Sequence, residues 1–115
     1  MTGTFYHNPR CSKSREALRL LQEKGVEPQI VEYLKTPPDA AKLAELLDQL
    51  GMEPRDLMRK KEAPYKDLGL GDDGVSREAL IAAMAENPIL IERPLYQKDG
   101  KTRLGRPPEK VLELT

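Results

Sequence analysis

Tyr6-His7-Asn8-Pro9-Arg10-Cys11-Ser12-Lys13-Ser14-Arg15-Glu16-Ala17-Leu18 carries the one cysteine of the chain, and its reading decides the fold. The short apolar run before it, Thr4, Phe5 and Tyr6, has the composition of a strand. Asn8-Pro9 breaks that run, and from Ser12 onward Ala17, Leu18 and Leu21 recur at helical spacing. Cys11 therefore falls just before the first turn of a helix. Four free backbone N–H groups and the positive end of the helix dipole favour an anion there. His7, Arg10, Lys13 and Arg15 add to the positive field. An ordinary thiol, with a pKa of about 8.5, is only a few per cent thiolate at pH 7, and a depressed pKa would make this one a nucleophile. A lone cysteine is commonly a small buried hydrophobe. Its neighbours here are Arg, Ser, Lys, Ser and Arg, which are not core formers, and they favour a reactive role.

The chain has 115 residues, enough for one domain with one core, and 38% hydrophobic with 33% charged residues is the composition of a soluble globular protein. No apolar run reaches the roughly 18 residues of a membrane-spanning helix, so a membrane partner is not expected. Met1-Thr2-Gly3-Thr4 lacks the charged and apolar regions of a signal peptide, and one cysteine forms no internal disulfide, so the expected location is the cytoplasm. One Cys and one His also argue against a structural zinc site, which takes four ligands. The net charge of zero argues against a general nucleic-acid binder. The charge is unevenly spread, however. Residues 1–24 hold five basic and two acidic side chains, and 88–110 hold six basic and three acidic, each segment net positive by three, while the middle is acidic. Packed together, the two basic segments would form a surface for a small anion. A monomer is the default expectation.

In chain order the pattern reads as a strand at residues 3–6, a helix at 12–24 stopped by Gly25, and a strand at 29–33. A crossover helix between two strands implies a parallel pair. Thr36-Pro37-Pro38-Asp39 breaks the chain and starts a helix with the stripe Leu43, Leu46, Leu47 and Leu50, ending at Gly51. A short helix is expected over 53–61, a turn at Tyr65–Gly69, a helix from Ser76 to about Glu86 and a short buried strand at Ile89-Leu90-Ile91. Two strands flank Lys98-Asp99-Gly100-Lys101, a hairpin signal, and a last helix spans 107–114. This β-α-β order, a helical middle and a β-β-α end, with a cysteine at the first strand–helix junction, describe an α/β fold. The expected architecture is a thioredoxin-like mixed sheet flanked by helices. Its core comprises 1–35 and 88–115, with a helical insertion at about 36–87, all within one domain.

Four motifs carry a closer resemblance. Tyr6-His7-Asn8-Pro9-x-Cys11-x-x-Ser14-Arg15 resembles the active-site motif of the glutathione- and glutaredoxin-dependent arsenate reductase family. Leu57-Met58-Arg59-Lys60-Lys61-Glu62-x-Pro64-Tyr65-x-x-Leu68-Gly69-Leu70 resembles its middle motif. Asn87 to Pro94 and Thr102 to Pro107 resemble its two late motifs. The likeness spans essentially the whole chain, and the Asn8-Pro9-Arg10-Cys11-Ser12-Lys13-Ser14-Arg15 form is similar to a small single-cysteine branch. It implies a Cys11 thiolate that attacks arsenate, with His7 and Ser14 as supporting catalytic residues and Arg59, Arg93 and Arg106 as an oxyanion clamp. An arginine fork bonds two oxygens at once and stays charged. Pro94 resembles the cis-proline that such folds place opposite the reactive cysteine, which would aim Arg93 at Cys11.

Each of these residues has a plainer reading. Arg59 in Arg-Lys-Lys-Glu also suits a solvated helix face, Arg106 a loop charge, His7 an ordinary loop histidine and Ser14 a first-turn residue. Ser14 in a Cys-x-x-Ser arrangement could donate its hydroxyl to the Cys11 sulfur. Arg10, Lys13 and Arg15 are secondary candidates. With no second cysteine, an adduct at Cys11 needs an outside thiol: glutathione as co-substrate, then glutaredoxin, with no tightly bound cofactor. Two other readings share the scaffold: a thiol-disulfide oxidoreductase, against which three arginines argue because a disulfide carries no charge, and a non-enzymatic regulator similar to redox-sensing partners of RNA polymerase, which typically carry a second cysteine where Ser14 stands. Gly69-Leu70-Gly71-Asp72-Asp73-Gly74 satisfies a dinucleotide fingerprint in letters only. No strand precedes it, and two carboxylates sit where phosphates would lie. A cysteine-phosphatase loop needs an arginine where Ala17 stands.

Overall fold

A computed structural model describes residues 3–115; Met1 and Thr2, which enter the N-terminal reading above, lie outside the described residues. It divides the chain into two compact units, Met1–Thr36 with Arg93–Thr115, and Pro37–Glu92. The chain leaves the first unit after Thr36 and re-enters it at Arg93.

The first unit holds β1 (Thr4–His7), α1 (Ser12–Glu23) and β2 (Gln29–Glu32), then, after re-entry, β3 (Leu95–Lys98), β4 (Lys101–Leu104) and a 3-10 helix at Pro108–Leu114. The sheet order is β2-β1-β3-β4. β1 and β2 run parallel, with His7 beside Glu32, as the crossover helix requires. β1 with β3 and β3 with β4 are antiparallel. This is the mixed sheet expected of a thioredoxin-like fold. Its core forms because Phe5 and Tyr96 are register partners, with ring centroids 6.4 Å apart. Ala17 and Leu21 of α1 and Val111 of the last helix bury against that pair. Ser14, Ala17 and Leu21 are the buried positions of α1, spaced three and four apart, so one helical stripe serves both core and site. The hairpin turn places Asp99 (φ 53°) and Gly100 (φ 77°) both at positive φ, the requirement of a type I′ turn and the reason for Asp-Gly there.

The second unit is helical: α2 (Ala40–Leu50), a 3-10 helix at Pro54–Leu57, α3 (Ala63–Asp67), α4 (Arg77–Glu86) and a 3-10 helix at Pro88–Leu90. Asp39 caps α2 by accepting from the Lys42 N–H at 2.8 Å, and Ser76 caps α4 by accepting from the Ala79 N–H at 3.1 Å. Leu43, Leu46 and Leu47 of α2 and Leu80 and Met84 of α4 are buried in this unit with Leu57 and Leu90. Among the described residues no helix is long and apolar enough to cross a membrane.

Three local expectations are corrected. Ile89-Leu90-Ile91 is not a strand: Pro88 fixes φ and lacks an N–H, the chain turns at once into a 3-10 helix, and only Ile91 pairs, in a single bridge with Met58. That bridge shortens the helix expected over 53–61. It is helical only through Leu57, after which the Arg59 N–H donates to the Leu90 carbonyl at 2.7 Å and the Glu92 N–H donates to that of Leu57 at 2.8 Å. Tyr65 to Asp67 belong to the short helix α3, which carries a proline in its first turn, and not to an open turn.

Candidate active site

The loop from Asn8 to Cys11 is a tight turn built by its own residues. The Cys11 N–H donates to the Asn8 carbonyl at 3.0 Å, with Pro9 at the position where its fixed φ suits a turn. The Asn8 side-chain oxygen accepts from the Arg10 N–H at 3.0 Å. Arg15, one turn into α1, donates its guanidinium to the Pro9 carbonyl at 2.9 Å and so fastens loop to helix. Cys11 is the residue that caps α1, in extended conformation, and the cap has no side-chain hydrogen bond. The main-chain N–H groups of Lys13 and Ser14 face the sulfur closely enough to favour its charged form.

Cys11 is buried, 9% exposed. Burial pushes its thiol pKa up. The main-chain N–H of Ser14, the charge of Arg93, the main-chain N–H of Lys13 and a hydrogen bond from the Arg93 side chain pull it down, and together they win, holding the thiol below its ordinary value. Sequence spacing places Cys11 at the helix start, and the lowering comes from two sides: the helix start, and Arg93 from the far segment of the same unit.

Ser14 is fully buried. Its hydroxyl accepts from the Asn8 N–H at 3.0 Å and shares a 2.6 Å hydrogen bond with His7 Nδ1, the proton's place following the ring tautomer. The expected hydroxyl support of the sulfur is thereby corrected: the hydroxyl ties β1 and the loop to α1, and the main-chain N–H of Ser14 serves the sulfur. His7 is buried against Phe5, ring centroids 5.4 Å apart. Burial lowers its pKa, the Glu32 carboxylate on the neighbouring strand partly offsets this, and Arg15 adds to the lowering, so the ring is held toward its neutral form.

The Arg93–Pro94 peptide is cis, as the likeness of Pro94 to the cis-proline of such folds implies, and so is Arg106–Pro107, which sequence reading did not anticipate. The two arginines meet: the Arg106 guanidinium donates to the Arg93 carbonyl at 3.1 Å. Gly105 makes this approach possible, because a Cβ there would stand 2.7 Å from Pro94 Cγ and 3.2 Å from Val111 Cγ1. Cys11, His7, Ser14, Arg93 and Arg106 thus belong to one unit, with Arg93 touching the sulfur and Arg106 held against Arg93. Arg59 belongs to the second unit. Its guanidinium pairs with Glu62 at 3.0 Å and with Glu92 at 3.7 Å, and the side chain is about a quarter exposed (26%). That double pairing could not be read from Arg-Lys-Lys-Glu, because Glu92 is remote in sequence. Among the described residues no group of three or more His, Cys, Asp or Glu side chains is arranged to hold a metal ion.

A helix start and an arginine around a sulfur held below its ordinary pKa make a site for a thiolate attacking a tetrahedral oxyanion. The chain is similar to known proteins over nearly its whole length. The model of the ArsC family matches residues 6–114. An Escherichia coli (strain K12) protein called "Uncharacterized protein YfgD" is 62% identical over 96% of this chain and 93% of its own length. A protein of Neisseria meningitidis serogroup A named arsenate reductase is 46% identical over 93% of this chain and 92% of its own. The solved structure of an arsenate reductase from Vibrio cholerae superposes with a TM-score of 0.95 at 52% identity, covering 100% of both chains.

Proposed function

The chain belongs to the ArsC family, and on that premise we propose that it reduces arsenate to arsenite at Cys11, with glutathione and glutaredoxin supplying the electrons. The observation that carries the reading is a buried Cys11 at the start of α1, its thiol held below its ordinary pKa by the main-chain N–H groups of Ser14 and Lys13 and by Arg93. Likeness to proteins named arsenate reductase over nearly the whole chain supports the choice of oxyanion.

In the proposed sequence the Cys11 thiolate attacks arsenic. An As–S bond forms, an As–O bond breaks, and the oxygen leaves as water once protonated. Glutathione then adds, forming a second As–S bond and releasing a second oxygen as water. A glutaredoxin thiol attacks the glutathione sulfur. A glutathione–glutaredoxin disulfide forms, the electron pair of the broken As–S bond stays on arsenic, and As(V) becomes As(III). Water cleaves the remaining As–S bond, releasing arsenite and regenerating Cys11. The sum is arsenate plus two thiols giving arsenite, one disulfide and one water.

Arg93 serves both partners of the first step: it lowers the thiol pKa and presents a fork to the oxygens. Arg106 completes the clamp beside it. Arg59 keeps the substrate-binding role that the family motif implies, and an anion bound by it would have to compete with the carboxylates of Glu62 and Glu92. His7 and Ser14 hold the loop in which the nucleophile sits. The test is arsenate-dependent NADPH oxidation coupled through glutathione, glutaredoxin and glutathione reductase. Wild type turns over and Cys11→Ser does not; turnover retained by Cys11→Ser overturns the mechanism.

A further inference from the structure

Beside the nucleophile loop is a cavity of about 350 Å³ that none of the roles above uses, walled in part by His7, Arg10, Glu32, Leu34 and Lys35. All of these belong to the first unit. The volume is at the lower end of the range of about 300–1,000 Å³ typical of small-molecule sites. Its lining is chemically mixed. Arg10 makes no side-chain hydrogen bond or ion pair to any described residue; only its main-chain N–H is engaged, by Asn8. Glu32 and Lys35 form a loose pair at 3.5 Å with both side chains well exposed, a contact of little energy that a competing charge readily opens. Leu34, 43% exposed, offers an apolar wall beside them.

A ligand complementary to that lining carries two carboxylates for Arg10 and Lys35, one ammonium group for Glu32, and an aliphatic stretch for Leu34. It is small and elongated. Glutathione has this set of charges, with the glutamyl methylenes as the aliphatic part and its thiol between the charged ends. We propose that this cavity is the seat of the thiol co-substrate. The inference rests on the glutathione-dependent reading above. Arg10 precedes Cys11 directly, with Cα atoms about 3.8 Å apart, and an extended tripeptide spans roughly 10 Å. A glutathione whose terminal carboxylate is bound by Arg10 therefore carries its thiol to the rim where the Cys11–arsenic adduct forms. In the step served, the glutathione sulfur bonds to arsenic, an As–O bond breaks, and the thiol proton leaves with that oxygen as water. The Cys11 sulfur, already bonded to arsenic, keeps its bond throughout this step.

The experiment separates binding from turnover. Folded Cys11→Ser protein is titrated with S-methylglutathione, which cannot react, and followed by amide chemical shifts. The expected result is saturable shifts at residues 7–10 and 32–35, with the Kd raised about three- to five-fold when Lys35→Ala or Arg10→Ala is added, the scale of one exposed ion pair. In the active protein Lys35→Ala raises the KM for glutathione by a similar factor and leaves the KM for arsenate within about two-fold. Shifts confined to other surfaces, or a Kd unchanged in both variants, overturn the proposal. So do shifts of residues 32–35 by arsenate alone, which assign the cavity to the oxyanion. Binding at the cavity in a protein that does not reduce arsenate sustains the subsite and refutes the arsenate reading; arsenate reduction with an unaltered glutathione KM in Lys35→Ala does the reverse.

Discussion

In the loop and first turn from Asn8 to Arg15, the charge of the Cys11 sulfur is met by the main-chain N–H groups of Lys13 and Ser14 and by Arg93. Between Leu57 and Glu62, the charge of the Arg59 guanidinium is met by two carboxylates, Glu62 and Glu92. The first region leaves an anion stabilised by donors that stay in place whatever binds. The second leaves a cation already neutralised by partners that must be displaced before it can serve a ligand. Main-chain donors lose little side-chain freedom when they bond, whereas an ion pair trades one charged partner for another and gains only the difference. A nucleophile that must be ready before substrate arrives is therefore built the first way. An arginine held the second way tests the incoming anion against its own carboxylates.

The largest effect expected within this contrast comes from Arg93→Ala. It removes a side chain that donates to the sulfur, and loss of such a preorganised donor costs about 10²- to 10³-fold in kcat. A loss under ten-fold would place the support of the sulfur wholly in the helix start. Ser14→Ala should affect the fold more than the thiol. It leaves a part-buried Asn8 N–H and the buried His7 Nδ1 without the hydroxyl, a loss of about 1–3 kcal/mol by denaturant unfolding. The main-chain N–H of Ser14 remains, so the Cys11 pKa moves little; a large rise would show the hydroxyl to be the sulfur's partner after all.

The next effect is on pH dependence. Burial holds the folded-state pKa of His7 below its ordinary 6.5. As pH falls through that value the unfolded chain takes up a proton that the folded chain refuses, so stability declines with falling pH below about 6.5. His7→Gln should flatten that part of the profile; an unchanged slope would assign it to other groups. The smallest effect is expected at the paired arginine. Glu62→Gln removes the nearer carboxylate from Arg59 and should lower the KM for arsenate by about two- to three-fold with kcat unchanged, the scale of one partly exposed pair. A KM that does not move would remove Arg59 from the clamp.

Where a single local signal settles the geometry, sequence reading sufficed. Asn8-Pro9 ends β1 and opens the turn, Ala17 and Leu21 mark the buried stripe of α1, and Asp99-Gly100 can hardly be anything but a hairpin turn. The apolar triplet Ile89-Leu90-Ile91 looked like a strand because burial and strand propensity give the same letters; Pro88 and a single available partner at Met58 decided for a 3-10 helix and one bridge. The site followed the same rule. Cys11 was legible from its place before a helix, and Arg93 only through the resemblance of Pro94 to the cis-proline of such folds. The use of the Ser14 main chain instead of its hydroxyl was not legible, because a sequence names side chains and the competing partner, His7, is seven residues away. The carboxylate partner Glu92 of Arg59 was hidden for the same reason, as it meets Arg59 only through folding.

The central claim is a thiolate at Cys11 made by its surroundings, and the most direct test is the ultraviolet thiolate absorbance of the folded protein titrated with pH, wild type beside Arg93→Ala. Cys11 is the one thiol in the chain, so the signal has a single source. The account predicts a wild-type midpoint below the ordinary thiol value of about 8.5 and a clear upward move in Arg93→Ala. A wild-type midpoint at or above the ordinary value, with Arg93→Ala unchanged, would contradict it.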